Sequence, residues 1–250
     1  MGLWTPEHAK TLLPALAVMF VVAWILRRVL GHKELKVRMI PFQILACVLL
    51  ALEIGKQGVS LWRGYDLYHL PFHFCSLFIF SVPLAAFYKG KHRESVFAVT
   101  TAWTASLFLL MLIYPNLIYS AGNINAFFTD YMSLHTVAFH NIVMLEFLLI
   151  IALNLHTPQP KGEVKKAMLA TTVFCVVSAT MAQLLKTNYA NYYSCNIPVF
   201  EVIRTDLQAV LGAALTQLIY ILIVSALNLL FVLMSYWVYR LIRKILCKKV

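Results

Sequence analysis

Apolar runs long enough to span a bilayer recur seven times, separated by short stretches of Lys, Arg, Asn, Gly and Pro. They cover residues 11–30, 39–59, 68–87, 95–114, 131–155, 167–185 and 209–237. A helix of about twenty apolar residues crosses a hydrocarbon core of about 30 Å. A membrane strand would need only about ten residues of alternating polarity. The runs here are roughly twice as long, so helices are the spanning structure that satisfies their backbone. The pattern predicts an all-α, polytopic membrane protein, with residues 1–250 as one seven-helix transmembrane domain. The last run exceeds what a bilayer needs and is expected to tilt or enter the interface. Residues 115–130 read as a turn-rich loop, and no repeat or linker is visible.

Composition agrees. Hydrophobic residues make up 61% of the chain and charged residues 12%, against about half and a quarter in soluble domains. The net charge of +11 invites a nucleic-acid reading, but most Lys and Arg sit in short loops between the runs. Sixteen of them fall on alternate connections: Arg27, Arg28, Lys33, Lys36 and Arg38; Lys89, Lys91 and Arg93; Lys161, Lys165 and Lys166; and Arg240, Arg243, Lys244, Lys248 and Lys249. The opposite side has five: Lys10, Lys56, Arg63, Lys186 and Arg204. The positive-inside rule therefore predicts an outside amino terminus and a cytoplasmic carboxyl terminus. The expected setting is a plasma membrane, with membrane lipids as partners, no nucleic acid and no obligate protein partner. The first run is preceded by Glu7 and Lys10 and followed by Arg27 and Arg28, so it does not read as a cleavable signal. The five cysteines (Cys47, Cys75, Cys175, Cys195 and Cys247) are scattered without a CxxC pair.

With that orientation, most ionisable groups inside the runs gather in the outer half. His69, His73 and Cys75 fall within roughly the first 10 Å of the third run, and His135 and His140 about 6 and 14 Å into the fifth. Glu53 lies near the outer end of the second run and Gln183 near that of the sixth. Glu146 is the exception, near mid-membrane. The stretch 186–207 is polar, with Asn188, Asn191, Tyr192, Glu201, Arg204 and Asp206. Imidazoles and a thiol are costly at membrane depth and usually mark a site. On the third helix His69 and His73 share a face, while Cys75 lies about 200° round and points away from His73. His135 and His140 differ by about 140°. A single interfacial His is often only a helix–helix hydrogen bond, and a Cys only a small packing residue. The clustering at one end is what argues for chemistry.

Leu70-Pro71-Phe72-His73-Phe74-Cys75-Ser76 resembles the L-P-x-H-x-C signature of the YwaF-type bacterial integral membrane proteins. Ser133-Leu134-His135 and Phe139-His140-Asn141 resemble that family's next polar helix. Asn191-Tyr192-Tyr193 before Pro198 resembles its Asn-Tyr loop, from which Ser194-Cys195-Asn196 departs. That family is in turn similar to a mammalian transmembrane acyltransferase of ether phospholipids, thought to use a cysteine. More distantly it is similar to membrane hydrolases of hydroxy-fatty-acid esters, which use Thr and His. The resemblance implies acyl chemistry on lipids in a bacterial cytoplasmic membrane. If the acyltransferase cysteine directly precedes the motif histidine, Phe72 holds its place here. His73 and His140 therefore carry over more firmly than Cys75.

The reading is an acyl hydrolase or acyltransferase acting on a lipid ester from an outer-leaflet cavity. His140 is the expected general base and His73 the orienter or oxyanion donor. Cys75 is the expected nucleophile, with Ser76 or Thr136 as alternatives. His69, His135, Asn191 and Arg204 are expected to bind substrate, Arg204 through a lipid phosphate. No cofactor or metal is expected. A small-molecule or lipid binding or transport protein is the first alternative, supported by Glu146, although no broken-helix pair shows. A zinc hydrolase using His69, His73 and His140 is the second.

Overall fold

The first run begins earlier than hydropathy suggests. Thr5 and His8 form a capping box and Pro6 occupies the first helical position, where its missing N–H costs nothing. The computed structural model describes residues 4–158, 162–196 and 198–247. Among them the helices are α1 Pro6–Leu30, α2 Leu35–Arg38, α3 Ile40–Trp62, α4 Leu77–Phe87, α5 Arg93–Ile113, α6 Ala121–Asn125, α7 Tyr131–Ala152, α8 Glu163–Leu185, α9 Pro198–Leu211 and α10 Ala213–Cys247. No strand occurs among the described residues. Six of the helical segments are long and apolar enough to cross a membrane: Pro6–Leu30, Leu35–Trp62, Arg93–Ile113, Tyr131–Ala152, Glu163–Leu185 and Ala213–Leu246.

The third run is where structure and expectation part. It forms a 3-10 turn at Leu67–His69, an extended stretch, a second 3-10 turn at Phe74–Ser76, and then α4 of only 11 residues. The cause is Pro71. Its ring bars Leu70 from the helical region, and Leu70 sits at φ −63°, ψ 149°. Eleven residues rise about 16 Å, roughly half the hydrocarbon core. The residues before α4 are irregular backbone, which at membrane depth is tolerated only when it is buried in protein or lines a cavity.

The seventh run also differs. Gly212, at φ 79°, takes the left-handed conformation and divides α9 from the 35-residue α10. Much of the stretch expected as a polar loop is the amphipathic α9, which exposes Val199, Phe200, Val202, Ile203 and Val210. The turn-rich segment 115–130 holds a 3-10 turn at Pro115–Leu117 and the short α6.

Helix α5 is central. Thr100, Thr101, Thr104 and Ser106 are fully buried on it, as are Phe97 and Met111. Thr100 donates to the Ser81 carbonyl on α4 at 3.0 Å, and Trp103 donates to Thr171 on α8 at 3.0 Å. Such small polar side chains let helices approach closely and bond across the interface.

The helix ends sort into two groups. At one end Arg38 donates to the Leu153 carbonyl at 2.6 Å, Lys166 to Ser95 at 2.7 Å, and Arg243 to Asn154. His156 is buried there, 3.2 Å from Glu94 and 3.5 Å from Glu163, stacked near Phe97 and Tyr239. At the other end Trp4 donates to the Leu112 carbonyl at 2.8 Å, Tyr131 to the Leu52 carbonyl at 3.0 Å, and Arg63 to Asp130 at 2.9 Å. The basic connections thus share one end, while the candidate residues lie toward the other. Lys161, Lys248 and Lys249 lie outside the described residues.

Candidate functional site

A cavity of about 560 Å³ opens between α3, the broken third segment, α5, α7, the 188–196 loop and α10. His69, His73, Cys75, His135, His140 and Asn191 all line it. Its apolar lining is built from Ile79, Leu107, Leu110, Phe139, Phe231 and Val232, among others. Its polar lining adds Asn123, Asn188, Asn196 and Asn228. Ser76 and Thr136 also reach it, but the Thr136 hydroxyl donates to the Met132 carbonyl at 2.8 Å.

The broken segment corrects the helical-angle argument. His69 and His73 are not neighbours on a helical face, and Cys75 is not turned away from them. His69 ends a 3-10 turn with Nδ1 2.6 Å from the Ser60 hydroxyl, and Gln57 donates to its carbonyl at 3.1 Å. His73 is extended, and its ring lies 4.4 Å from Tyr68 and 5.3 Å from Tyr189. His73 Nε2 sits 3.0 Å from the Tyr68 carbonyl. A carbonyl only accepts, so Nε2 carries the proton and Nδ1 is left to accept one. Cys75 is a free cysteine in the following turn.

The two histidines of α7 both reach the cavity although they diverge on the helix, because the cavity wraps that end of α7. His140 Nδ1 is 2.6 Å from the Thr136 carbonyl. By the same logic Nδ1 is protonated and Nε2 is the basic nitrogen. Among the described residues nothing bonds that Nε2. His135 leans on Phe139 at 5.2 Å, with Nε2 3.2 Å from Glu53 Oε2, an ion-pair distance without good hydrogen-bond alignment.

Glu53 and Lys56 were not among the site residues expected from sequence. They are the one carboxylate and the one Lys or Arg among the described residues that line the cavity. Glu53 Oε1 accepts from Lys56 Nζ and Gln57 Nε2, each at 2.7 Å. Tyr65 in turn donates to Gln57 at 3.0 Å. Gly55 lets this face of α3 meet α7, since a Cβ there would collide with the Tyr131 ring. The sequence signal was present in Glu53's position at the same end as the histidines.

Arg204 does not line this cavity. It borders a separate depression with Gln183, Tyr193, Gln208 and Gln217. Its guanidinium is taken up by Glu201, with Nη1 donating to Gln217 at 3.1 Å. Those hydrogen bonds hold the Glu201 carboxyl below its usual range. The expected phosphate contact from Arg204 has no geometric basis in this cavity. Asn191, at φ 63°, follows Ala190 at φ 47°, and its carbonyl accepts from Tyr220 at 2.6 Å. Two successive left-handed residues other than glycine are strained, and such strain concentrates at functional sites. No group of three or more His, Cys, Asp or Glu side chains placed to hold a metal occurs among the described residues.

The TMEM164 family model matches residues 3–238. A search of curated proteins and a search of solved structures each returned no match. A cavity of histidines, a thiol and apolar wall within a multi-pass helical bundle thus sits in a chain matched over nearly its whole length, and the chain belongs to the TMEM164 family.

Proposed function

We propose that the cavity transfers or hydrolyses the acyl group of a lipid ester. The carrying observation is that Cys75, His73 and His140 line one cavity together with a set of apolar side chains. Amphiphilic substrates fit such a space, with the acyl chain against Leu107, Leu110 and Phe231 and the ester at the polar lining. In this mechanism His140 Nε2 accepts the Cys75 proton and Sγ attacks the ester carbonyl carbon, giving a thioester. His73 orients the carbonyl, and His69 and Asn191 contact the substrate. The charge pattern supports an outside amino terminus, a cytoplasmic carboxyl terminus and a cavity served from the outer leaflet. A multi-pass protein of the plasma membrane, bacterial in the YwaF-type resemblance, is the matching setting.

The test is turnover of a phospholipid ester by purified protein in bilayers, with an acyl-thiol reagent to trap the intermediate. Wild type should give a trapped adduct at Cys75, and Cys75→Ser should give none. Turnover retained in Cys75→Ser would move the nucleophile to Ser76 or Thr136. A wild-type protein that turns over no ester but moves a solute would replace the enzyme reading.

Glu146 favours that second reading, a binding or transport protein. It is fully buried on α7, and neither carboxyl oxygen has a hydrogen-bond partner among the described residues. An ionisable group in that position is a functional candidate by default.

A further inference from the structure

Acyl transfer moves a proton at the nucleophile and another at the oxygen that leaves or attacks; a single histidine can carry both in turn, or two histidines can divide them. His140 can serve the thiol. The second carrier is not obvious from sequence, where His135 reads only as a substrate contact. The structure separates the cavity histidines by what they face. His73 and His140 each spend one nitrogen on a backbone carbonyl. His69 faces a hydroxyl. His135 alone among them lies at ion-pair distance from a carboxylate, 3.2 Å from Glu53, with both side chains 9% exposed.

Glu53 is itself fixed. Lys56 and Gln57 occupy one oxygen, leaving the other toward His135. A carboxylate at ion-pair distance stabilises the imidazolium that forms on a neighbouring histidine. With Nε2 turned to Glu53, Nδ1 is left for proton exchange, and among the described residues nothing bonds it.

We propose that His135, positioned by Glu53, is the acid–base group for the alcohol side of the reaction. The proposal rests on the acyl-transfer reading above. In acylation the Cys75 proton passes to His140 Nε2 and Sγ bonds to the ester carbon. The carbon–oxygen bond breaks, and protonated His135 gives its Nδ1 proton to the leaving oxygen, releasing an alcohol. In the second half His135 takes the proton of the incoming alcohol or water as its oxygen attacks the thioester. The carbon–sulfur bond breaks, and His140 returns its proton to the sulfur. Both histidines and the thiol end as they began. His135 is the group that touches the reacting oxygen, and Glu53 acts through it as a positioning residue.

Leaving-group dependence tests this. An ordinary oxyester needs protonation of its leaving oxygen, whereas a nitrophenyl ester or an acyl thioester leaves without it. Purified His135→Gln and Glu53→Gln should lose about 10²-fold or more in acylation rate on a phospholipid ester. On a nitrophenyl ester of the same acyl chain they should keep the rate within several-fold of wild type. The Cys75 acyl adduct should form normally from the activated ester and then resist transfer to alcohol or water. Equal losses on both esters would mean that the pair only holds the fold. Unchanged rates on the phospholipid ester would also overturn the proposal. Thermal midpoints identify a variant that has failed to fold, and Glu53→Asp, which keeps the charge, should restore part of the oxyester rate. Failure of the acyl-transfer reading looks different: wild type then acylates Cys75 from neither ester.

Discussion

Replacing His140 by Asn separates chemistry from architecture. The His140 Nδ1–H bonds the Thr136 carbonyl at 2.6 Å within α7. The Asn amide nitrogen stands close to the place of Nδ1 and can keep that bond, while the basic Nε2 is removed. One intramolecular hydrogen bond contributes about 1 kcal/mol net, so His140→Asn should cost no more than that in stability. His140→Ala loses the bond and also leaves a void beside Phe139, so its stability loss should be larger. Loss of a general base, by contrast, costs about 10²–10⁴ in rate, or roughly 3–5 kcal/mol of barrier. The two magnitudes can therefore be told apart in one preparation. Single-turnover acyl release from a phospholipid ester reads the rate loss, and the thermal midpoint reads the stability loss. A His140→Asn protein with a near-native midpoint and turnover within about fivefold of wild type would refute the assignment of His140 as base.

Fusion reporters at both termini should place the amino terminus outside and the carboxyl terminus in the cytoplasm, and a cytoplasmic amino terminus would move the cavity to the other leaflet. Asp130 caps α7 by accepting from the Ser133 amide at 3.0 Å, and hydrogen bonding from Arg63 holds its carboxyl below the usual range. Its contribution is therefore complete above the ordinary carboxylate range and is lost as pH falls through the lowered value. Asp130→Asn keeps the cap, so its midpoint should lose this acid dependence, at a cost below about 1 kcal/mol. Tyr192 is fully buried, with its hydroxyl 3.0 Å from Ser225 and within reach of Asn228. Tyr192→Phe should lower stability by about 1 kcal/mol and raise KM more than it lowers kcat, because the loop forms a wall of the cavity; a change confined to kcat would show that the loop does more than position substrate.

Hydropathy located the apolar segments because burial in lipid demands long uninterrupted runs, and six of them are helices of spanning length. It did not reveal the break at Leu70-Pro71. Every residue from Leu70 to Phe74 except His73 is apolar or proline, so a hydropathy window passes over it. The pre-proline restriction was the local signal that could have found it. The polar residues of 186–207 likewise hid α9, whose apolar face shows only at helical spacing, and Gly212 marked its end. Histidine and cysteine positions were legible because depth along a helix can be read from residue number. Angles were not, once the third segment ceased to be helical. Glu53 could be placed at the right depth, but its approach to His135 depends on how α3 packs against α7, and no single-segment pattern contains that.

The short α4 bears on how the protein is built in time. Its preceding backbone is closed by groups far later in the chain: Ser178 on α8 donates to the Phe72 carbonyl at 2.7 Å, and Tyr189 donates to the Leu67 carbonyl. Until α8 has been synthesised and inserted, the Phe72 carbonyl lacks the Ser178 donor, and an unbonded polar group in hydrocarbon is costly. The motif that carries His73 and Cys75 is therefore made early and finished late. A nascent chain arrested before α8 should leave this stretch open to chaperones or proteases, and the candidate cavity takes shape only when the bundle closes around it.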